Sequence, residues 1–268
     1  MDALPDDHFR ELTYLYTGDV SEVHRPDRGF SSDYAAVIHT ANGRFFVKAM
    51  FNKPGGRLDS LIRERDINPF VQPVSPRLQW SVNGEGWVVL GFEAIDGRSA
   101  SFDLDTPDLP RIVDTLNRLA EIDVPAVAQD WVETRWDRFA TSTEEAELFR
   151  GEALLHTDIN PSNIMLGAER TWLVDWSWPT RGAGFIDPAL LVVQLIAAGH
   201  RSPEAESWAA RCRAWEAADP KAIDAFAKAT WRMYRRQALD SQDRWLREME
   251  DAAQSWAEHR ISRARRSA

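Results

Sequence analysis

Apolar residues follow two different periods along this chain. In the first third they sit in short runs rich in β-branched and aromatic residues. Tyr34-Ala-Ala-Val-Ile-His-Thr and Phe45-Phe-Val-Lys-Ala-Met flank Asn42-Gly43, a dipeptide that supplies the positive φ angles of a tight hairpin turn. Trp80-Ser-Val and Trp87-Val-Val-Leu-Gly-Phe flank Asn83-Gly-Glu-Gly and predict a second hairpin. Between the hairpins, Leu58, Leu61, Ile62 and Arg65 fall on helical spacing and predict a helix from Leu58 to Ile67, limited by Pro69. Residues 1–95 therefore read as a small antiparallel sheet carrying one helix.

The period then changes to that of a helix. Ile112, Val113, Leu116 and Leu119 predict a helix from Leu109 to Ile122, and Thr143 to Phe149 predicts another. From Pro188 onward the pattern is mostly helical, broken at Gly199, Pro203 and Pro220, and the Arg-rich tail from Glu258 to Ala268 is expected to fray as a solvated end. One non-helical stretch, Leu154 to Asp187, interrupts these helices. The expected fold class is α+β with two lobes: residues 1–95 β-rich, residues 96–268 mainly helical.

Composition narrows the class. The 268 residues are 44% hydrophobic and 10% aromatic, with 12 tryptophans, which excludes a disordered chain. The single cysteine, Cys212, excludes an internal disulfide and a Cys-rich zinc site. A formal net charge of −10 argues against general electrostatic binding to nucleic acid or to an anionic membrane; it would attract a cationic small molecule, and it equally serves simply to keep a protein soluble. The acidic start lacks the apolar segment of a signal peptide, and no run of about 18 apolar residues is present. The expectation is a cytoplasmic protein, monomer or homodimer, with no membrane or nucleic-acid partner.

Candidate chemistry gathers in the non-helical stretch. Leu154-Leu-His-Thr-Asp-Ile-Asn-Pro-Ser-Asn holds His156, Asp158 and Asn163, and Trp172-Leu-Val-Asp-Trp holds Asp175. The runs Ile164-Met-Leu and Trp172-Leu-Val bracket Gly167-Ala-Glu-Arg as a hairpin, which would bring Asp158, Asn163 and Asp175 to one end of it. An amide oxygen and a carboxylate are hard donors suited to Mg²⁺, and a second carboxylate can take a proton from an attacking hydroxyl. Phosphoryl transfer needs those parts and a lysine for the phosphates. The chain has four lysines, Lys48, Lys53, Lys221 and Lys228, and Lys48 ends an apolar strand with Glu64 following on a helix. Asp158 ahead of Asn160-Pro161 also suits an ordinary turn; the register with Asn163 and Asp175 is what sets it apart.

On Val47-Lys48, Glu64, His156-x-Asp158-x4-Asn163, Val174-Asp175-Trp176 and Gly184-Phe-Ile-Asp187-Pro, the chain resembles the aminoglycoside phosphotransferase family, the small-molecule branch of the protein-kinase-like fold. The resemblance implies an ATP- or GTP-dependent transfer of the γ-phosphoryl to a small-molecule hydroxyl, with Mg²⁺. It implies Asp158 as the base, His156 as the inner support of the catalytic loop, Asn163 and Asp175 as metal ligands, and Lys48 on the phosphates, paired with Glu64. Gly29, Ser31 and Ser32 would belong to the phosphate-covering turn. Phe92, Glu93, Ala94 and Ile95 would form the hinge that reads the purine. The family often has Gly where this chain has Thr157, and Asp where it has Leu191. An aminoglycoside or related antibiotic is the first acceptor implied. A sugar, amino alcohol or nucleoside kinase, a pseudokinase sensor and a Mg²⁺-dependent hydrolase are the alternatives.

Overall fold

The structure, a computed structural model, describes residues 3–25 and 32–267, the side chains of 266 and 267 aside. In chain order the elements are α1 (Asp7–Thr17), β1 (Val20–His24), β2 (Tyr34–Thr40), β3 (Gly43–Phe51), α2 (Gly56–Val71), β4 (Leu78–Asn83), β5 (Trp87–Glu93), β6 (Gly97–Ser99), α3 (Leu109–Leu119), α4 (Thr143–Glu147), β7 (Ala153–Leu155), β8 (Ile164–Gly167), β9 (Thr171–Leu173), β10 (Thr180–Gly182), α5 (Ile186–Ala197), α6 (Ser202–Ala209), α7 (Arg213–Glu216), α8 (Pro220–Asp240) and α9 (Arg244–Ser267). The fold class is α+β, as the two periods predict. The chain divides into two compact units, one of residues 1–98 with 167–178, the other of 99–166 with 179–268.

The first unit is built on a five-stranded antiparallel sheet of order β1-β2-β3-β5-β4. Both expected hairpins are present: Ala41 and Asn42 turn β2 into β3, with Gly43 opening β3 at φ 127° opposite Thr40 rather than lying in the turn, and Gly86 turns β4 into β5 at φ 88°. Side chains on β3 alternate faces. Phe45, Val47 and Ala49 join Phe9, Tyr34, Trp80 and Val89 in one apolar cluster, while Met50 and Phe46 join Leu58, Leu61 and Leu90 in another.

Three expectations need correction. The first unit carries two helices rather than one. Asp6 caps α1 by accepting from the Phe9 backbone N–H at 2.6 Å, and α1 buries Phe9, Thr13 and Thr17 against the sheet's first cluster. Pro69 does not limit α2, which runs on to Val71. A proline so near a helix end removes only one intrahelical bond, and buried Ile67, Asn68 and Val71 hold the last turn in place. The third correction is the Arg-rich tail. It continues α9 to Ser267 instead of fraying, because Arg260, 4% exposed, pairs with Glu206 at 3.2 Å and with Asp224.

Residues 167–178, which the sequence groups with the helical region, count with the first unit. The Leu173 N–H donates to the Val74 carbonyl at 2.7 Å, and a hydrogen bond from the Gly167 N–H to the Arg170 carbonyl at 2.9 Å closes the expected turn. The second unit is mainly helical. Apolar α5 is buried along most of its length, and Phe226 of α8 collects the rings of Trp136, Phe149 and Phe185 at centroid distances of 4.8, 5.5 and 5.7 Å. Its small sheet pairs β7 with β10, setting Leu155 against Thr180. Among the described residues no helix is long and apolar enough to cross a membrane.

Candidate active site

Strand alternation places Lys48 on the face of β3 that meets α2, between Phe46 and Met50. Glu64 follows buried Leu61 by about one turn of α2, so its carboxylate is aimed at the same face. The Lys48 Nζ donates to Glu64 Oε2 at 2.7 Å, to Asp175 Oδ1 at 2.7 Å and to Ser177 Oγ at 3.1 Å. Ser177 in turn donates to Asp175 Oδ1. The Trp176 backbone N–H donates to the other Glu64 oxygen at 3.3 Å.

The Lys48 and Glu64 side chains are 5% and 6% exposed, and that of Asp175 is 34% exposed. Burial alone would lower the lysine's pKa. The Glu64 and Asp175 carboxylates outweigh it and hold Lys48 above the ordinary lysine range, so it is a fixed cation. Asp175 has φ 62°, a left-handed conformation uncommon for a residue other than glycine. It directly follows the short run of β9 and Val174, and the turn of the backbone there swings its carboxylate to the lysine.

The second group forms in the loop after β7. Asp187, 2% exposed, accepts the backbone N–H groups of His156 and Thr157, both at 2.8 Å. Burial pushes its carboxyl above the usual range, against the pull of His156 and of those two N–H donors. The Asp158 N–H donates to His156 Nδ1 at 3.3 Å, so the buried ring braces the loop from within. Asp158 itself is exposed. Its two carboxylate oxygens are each oriented by one amide, Oδ1 by Asn160 Nδ2 at 3.0 Å and Oδ2 by Asn163 Nδ2 at 2.8 Å. Asn163 also donates to the Asp158 carbonyl at 3.0 Å. That spends the nitrogen end of the Asn163 amide on Asp158 and leaves the oxygen end as the donor for a cation.

Thr157, between them, has φ 64°. A β-branched residue in the left-handed region carries roughly 1–3 kcal/mol of strain and stays there only where its surroundings over-determine it. Here they do: besides Asp187, the Arg135 guanidinium donates to the Thr157 carbonyl at 3.1 Å and to its hydroxyl at 2.9 Å. Glu133, 2% exposed, receives the Arg135 backbone N–H at 2.6 Å and the Thr180 hydroxyl at 2.8 Å, which fixes the loop that carries the arginine.

The structure thus brings Lys48, Glu64 and Asp175 together in the first unit, and His156, Asp158 and Asn163 together in the second. Gly29 and Ser31 lie outside the described residues. Ser32 lies in a bend ahead of β2, next to Asp33, whose carboxylate accepts the Phe51 N–H at 2.9 Å. Phe92 and Glu93 end β5, Phe92 buried and Glu93 exposed, and the Glu93 N–H donates to the Arg77 carbonyl at 2.8 Å. Ala94 and Ile95 follow, half-buried, outside the strand.

Arg135, Ser177 and Tyr234 also belong to these surroundings and are absent from the sequence-predicted site residues. Tyr234 on α8 feels Asp158: burial first, and then that carboxylate, push its phenol up to about 12. Arg135 and Tyr234 act across long chain separations, which leave no local pattern, whereas Ser177 lies two residues past Asp175 and its hydroxyl there is the local signal.

Taken singly, the Asn163 amide oxygen of the second unit and the Asp175 carboxylate of the first are oxygen donors of the hard type that Mg²⁺ prefers.

No family model matches the chain, and no curated protein matches it by sequence. Solved structures do. The choline kinase LicA from Streptococcus pneumoniae is similar with a TM-score of 0.61 at 12% identity, covering 93% of this chain and 97% of that one. A thermostable mutant of an aminoglycoside phosphotransferase, solved with ADP and hygromycin B, is similar with a TM-score of 0.60 at 12% identity, covering 92% and 98%. An aminoglycoside phosphotransferase from Streptomyces rimosus reaches 19% identity with a TM-score of 0.53, covering 83% and 97%. At these identities the likeness establishes the fold, which is the kinase-like fold of small-molecule kinases.

Proposed function

We propose that this chain is a nucleotide-dependent phosphotransferase that moves the γ-phosphoryl of ATP or GTP onto a hydroxyl of a cationic small molecule. The observation that carries the reading is the buried Lys48, held at 2.7 Å from both Glu64 and Asp175. A fold built only for stability gains little from burying such a cluster, because desolvating ions costs about what their attraction returns. A phosphate-binding site does gain from it, since the ammonium is fixed in place and permanently charged.

In this reading Lys48 binds the α/β phosphates and Glu64 orients it. Asp158 accepts the proton of the acceptor hydroxyl. The freed oxygen forms the new bond to the γ-phosphorus while the bond to the nucleoside diphosphate breaks, and the diphosphate leaves with that electron pair. Asn163 and Asp175 would hold Mg²⁺, which when bound offsets the charge on the phosphates. The two amides on Asp158 leave each oxygen further lone-pair capacity to receive a proton. Phe92 to Ile95 would offer backbone to the purine, and Ser32, with Gly29 and Ser31, would cover the phosphates.

The acceptor favoured is an aminoglycoside or related antibiotic. An amino alcohol is the second reading, supported by the choline kinase of the same fold. Both are cationic alcohols, and the net charge of −10 suits either. The test is nucleoside-diphosphate release with Mg²⁺ and ATP or GTP against aminoglycosides, other antibiotics, choline, ethanolamine and sugars, with Asp158→Ala as control. Acceptor-stimulated release that vanishes in the control is the expected result. Nucleotide binding without stimulation by any acceptor would leave the pseudokinase reading, and absence of nucleotide binding would defeat both.

A further inference from the structure

Glu22 and His24 stand two residues apart on β1 and share one face of the strand. The ladder sets Glu22 opposite His39 of β2, just past a register irregularity between Val20 and Glu22. Three potential ligands therefore converge on the edge strand of the sheet. His24 Nε2 lies 3.0 Å from Glu22 Oε2, and His39 Nδ1 lies 4.0 Å from the same oxygen. All three donor atoms fall within 4.8 Å of one another, and the two imidazole centroids are 5.4 Å apart.

We propose that Glu22, His24 and His39 form a binding site for a borderline divalent transition-metal ion of the zinc type. Two imidazoles and one carboxylate are a donor set that favours Zn²⁺, Cu²⁺ or Ni²⁺ and is poor for Mg²⁺, which takes oxygen ligands. Zinc at about 2.0–2.1 Å from each ligand in tetrahedral geometry sets the donors roughly 3.3 Å apart. The distances of 3.0 and 4.0 Å bracket that value, so small rotamer changes suffice. The Glu22 and His24 side chains, 60% and 61% exposed, have room to make them, and His39, 35% exposed, is the anchored member.

The remaining histidines are otherwise engaged: His8 with the Glu85 carbonyl, His200 with the Phe102 carbonyl at 2.9 Å, His259 with Glu206 at 3.6 Å, and His156 in its loop. Among the described residues no other such group of ligands occurs. The site uses none of the residues proposed for phosphoryl transfer, so it stands or falls independently. Its physical effect is a clip between β1 and β2: ion binding to the folded state raises the stability of the edge strand's pairing.

The test is isothermal titration of the untagged full chain with ZnCl₂, alongside thermal unfolding with and without zinc. One zinc per chain and a rise in Tm are expected. His39→Ala and, separately, His24→Ala should each weaken binding at least tenfold and abolish the Tm rise, with circular dichroism showing both variants folded. MgCl₂ should neither compete nor stabilise. Absence of zinc binding, or zinc bound equally well by both histidine variants, would overturn the site, the latter as adventitious binding elsewhere.

Discussion

Arg135 holds Thr157 at two points, one guanidinium nitrogen on its carbonyl oxygen at 3.1 Å and the other on its hydroxyl at 2.9 Å. Thr157 occupies a backbone conformation that glycine adopts freely and threonine does not, at φ 64°. The arginine therefore acts as a clamp on a strained residue immediately before Asp158.

Arg135→Ala is expected to lower phosphoryl transfer sharply, because the released loop relaxes toward an ordinary φ and carries the Asp158 carboxylate out of line. Adding Thr157→Gly removes the strain and should restore much of the lost rate. On its own, Arg135→Ala should also cost about 1.5–3 kcal/mol of stability for charged hydrogen bonds lost at Thr157. Turnover and urea unfolding of the two single variants and the double variant check this. Simple additivity in the double variant would mean that the clamp does not act through the Thr157 backbone.

Lys48→Met should destabilise far more than an ordinary core substitution. It leaves Glu64, 6% exposed, without its counter-charge, and removing one partner of a buried pair costs about 3–5 kcal/mol. Glu64→Gln in the same chain should recover part of that loss, because the uncompensated anion is gone. Chemical denaturation measures it, and a double variant no more stable than Lys48→Met would contradict the charge argument.

Asp187 makes a pH-dependent contribution whose sign follows from burial. Its folded pKa is raised above the unfolded value of about 3.9, so the folded protein holds that proton more tightly. The contribution is fully present below about pH 3.9 and is lost as pH rises through the raised folded value. Unfolding free energies of the wild type and of Asp187→Asn, taken from acid to neutral pH, should show the wild type's advantage shrinking with rising pH. An advantage that grows with pH would reverse the assigned direction.

Gly91→Ala tests the sheet. A Cβ at that position would lie 2.0 Å from Trp80 Cε2, and the Trp80 indole is itself stacked on Tyr16 at 5.2 Å and edge-on to Phe45 at 5.6 Å. Overpacking of this kind costs about 1–3 kcal/mol or more. Combined with Trp80→Leu, which makes room, the alanine should cost much less than it does alone. Thermal unfolding of the four-member cycle gives the coupling.

What the sequence made legible were the features with local signals. Asn42-Gly43 marks a hairpin, and the structure closes one there with the turn one residue earlier: Thr40 pairs with Gly43, so Ala41 and Asn42 turn the chain and Gly43 opens β3. The run Phe45-Phe-Val-Lys places Lys48 at a strand end pointing off the sheet, whereas β3 runs on to Phe51 and alternation turns the lysine toward α2; its pairing with Glu64 is implied by the family resemblance rather than by spacing. Long-range relations left no such mark. Asp187 meets His156 across 31 positions, and Lys48 meets Asp175 across 127, so neither contact has a period or spacing to read. Helix α1 was missed for a different reason. Its apolar residues Phe9, Leu12 and Tyr16 do fall on helical spacing and pack on the sheet's first cluster, but the helix is only 11 residues long and carries polar Thr13 and Thr17 on the same face, so docking on the sheet supplies most of its stability.

A lysine ammonium has three protons to donate, and Lys48 gives one each to Glu64, Asp175 and Ser177. No vacancy remains on it. Any anion that reaches Lys48 therefore arrives by exchange: an incoming oxygen takes a proton already assigned, and the displaced partner must find another. Glu64 is walled in, with the Trp176 N–H on its second oxygen. Asp175, 34% exposed, is the more accessible carboxylate of the two and the one able to turn away. Ligand entry at this lysine is thus a substitution reaction in miniature, and the carboxylate it releases is the one chemically suited to take up a cation at the same moment.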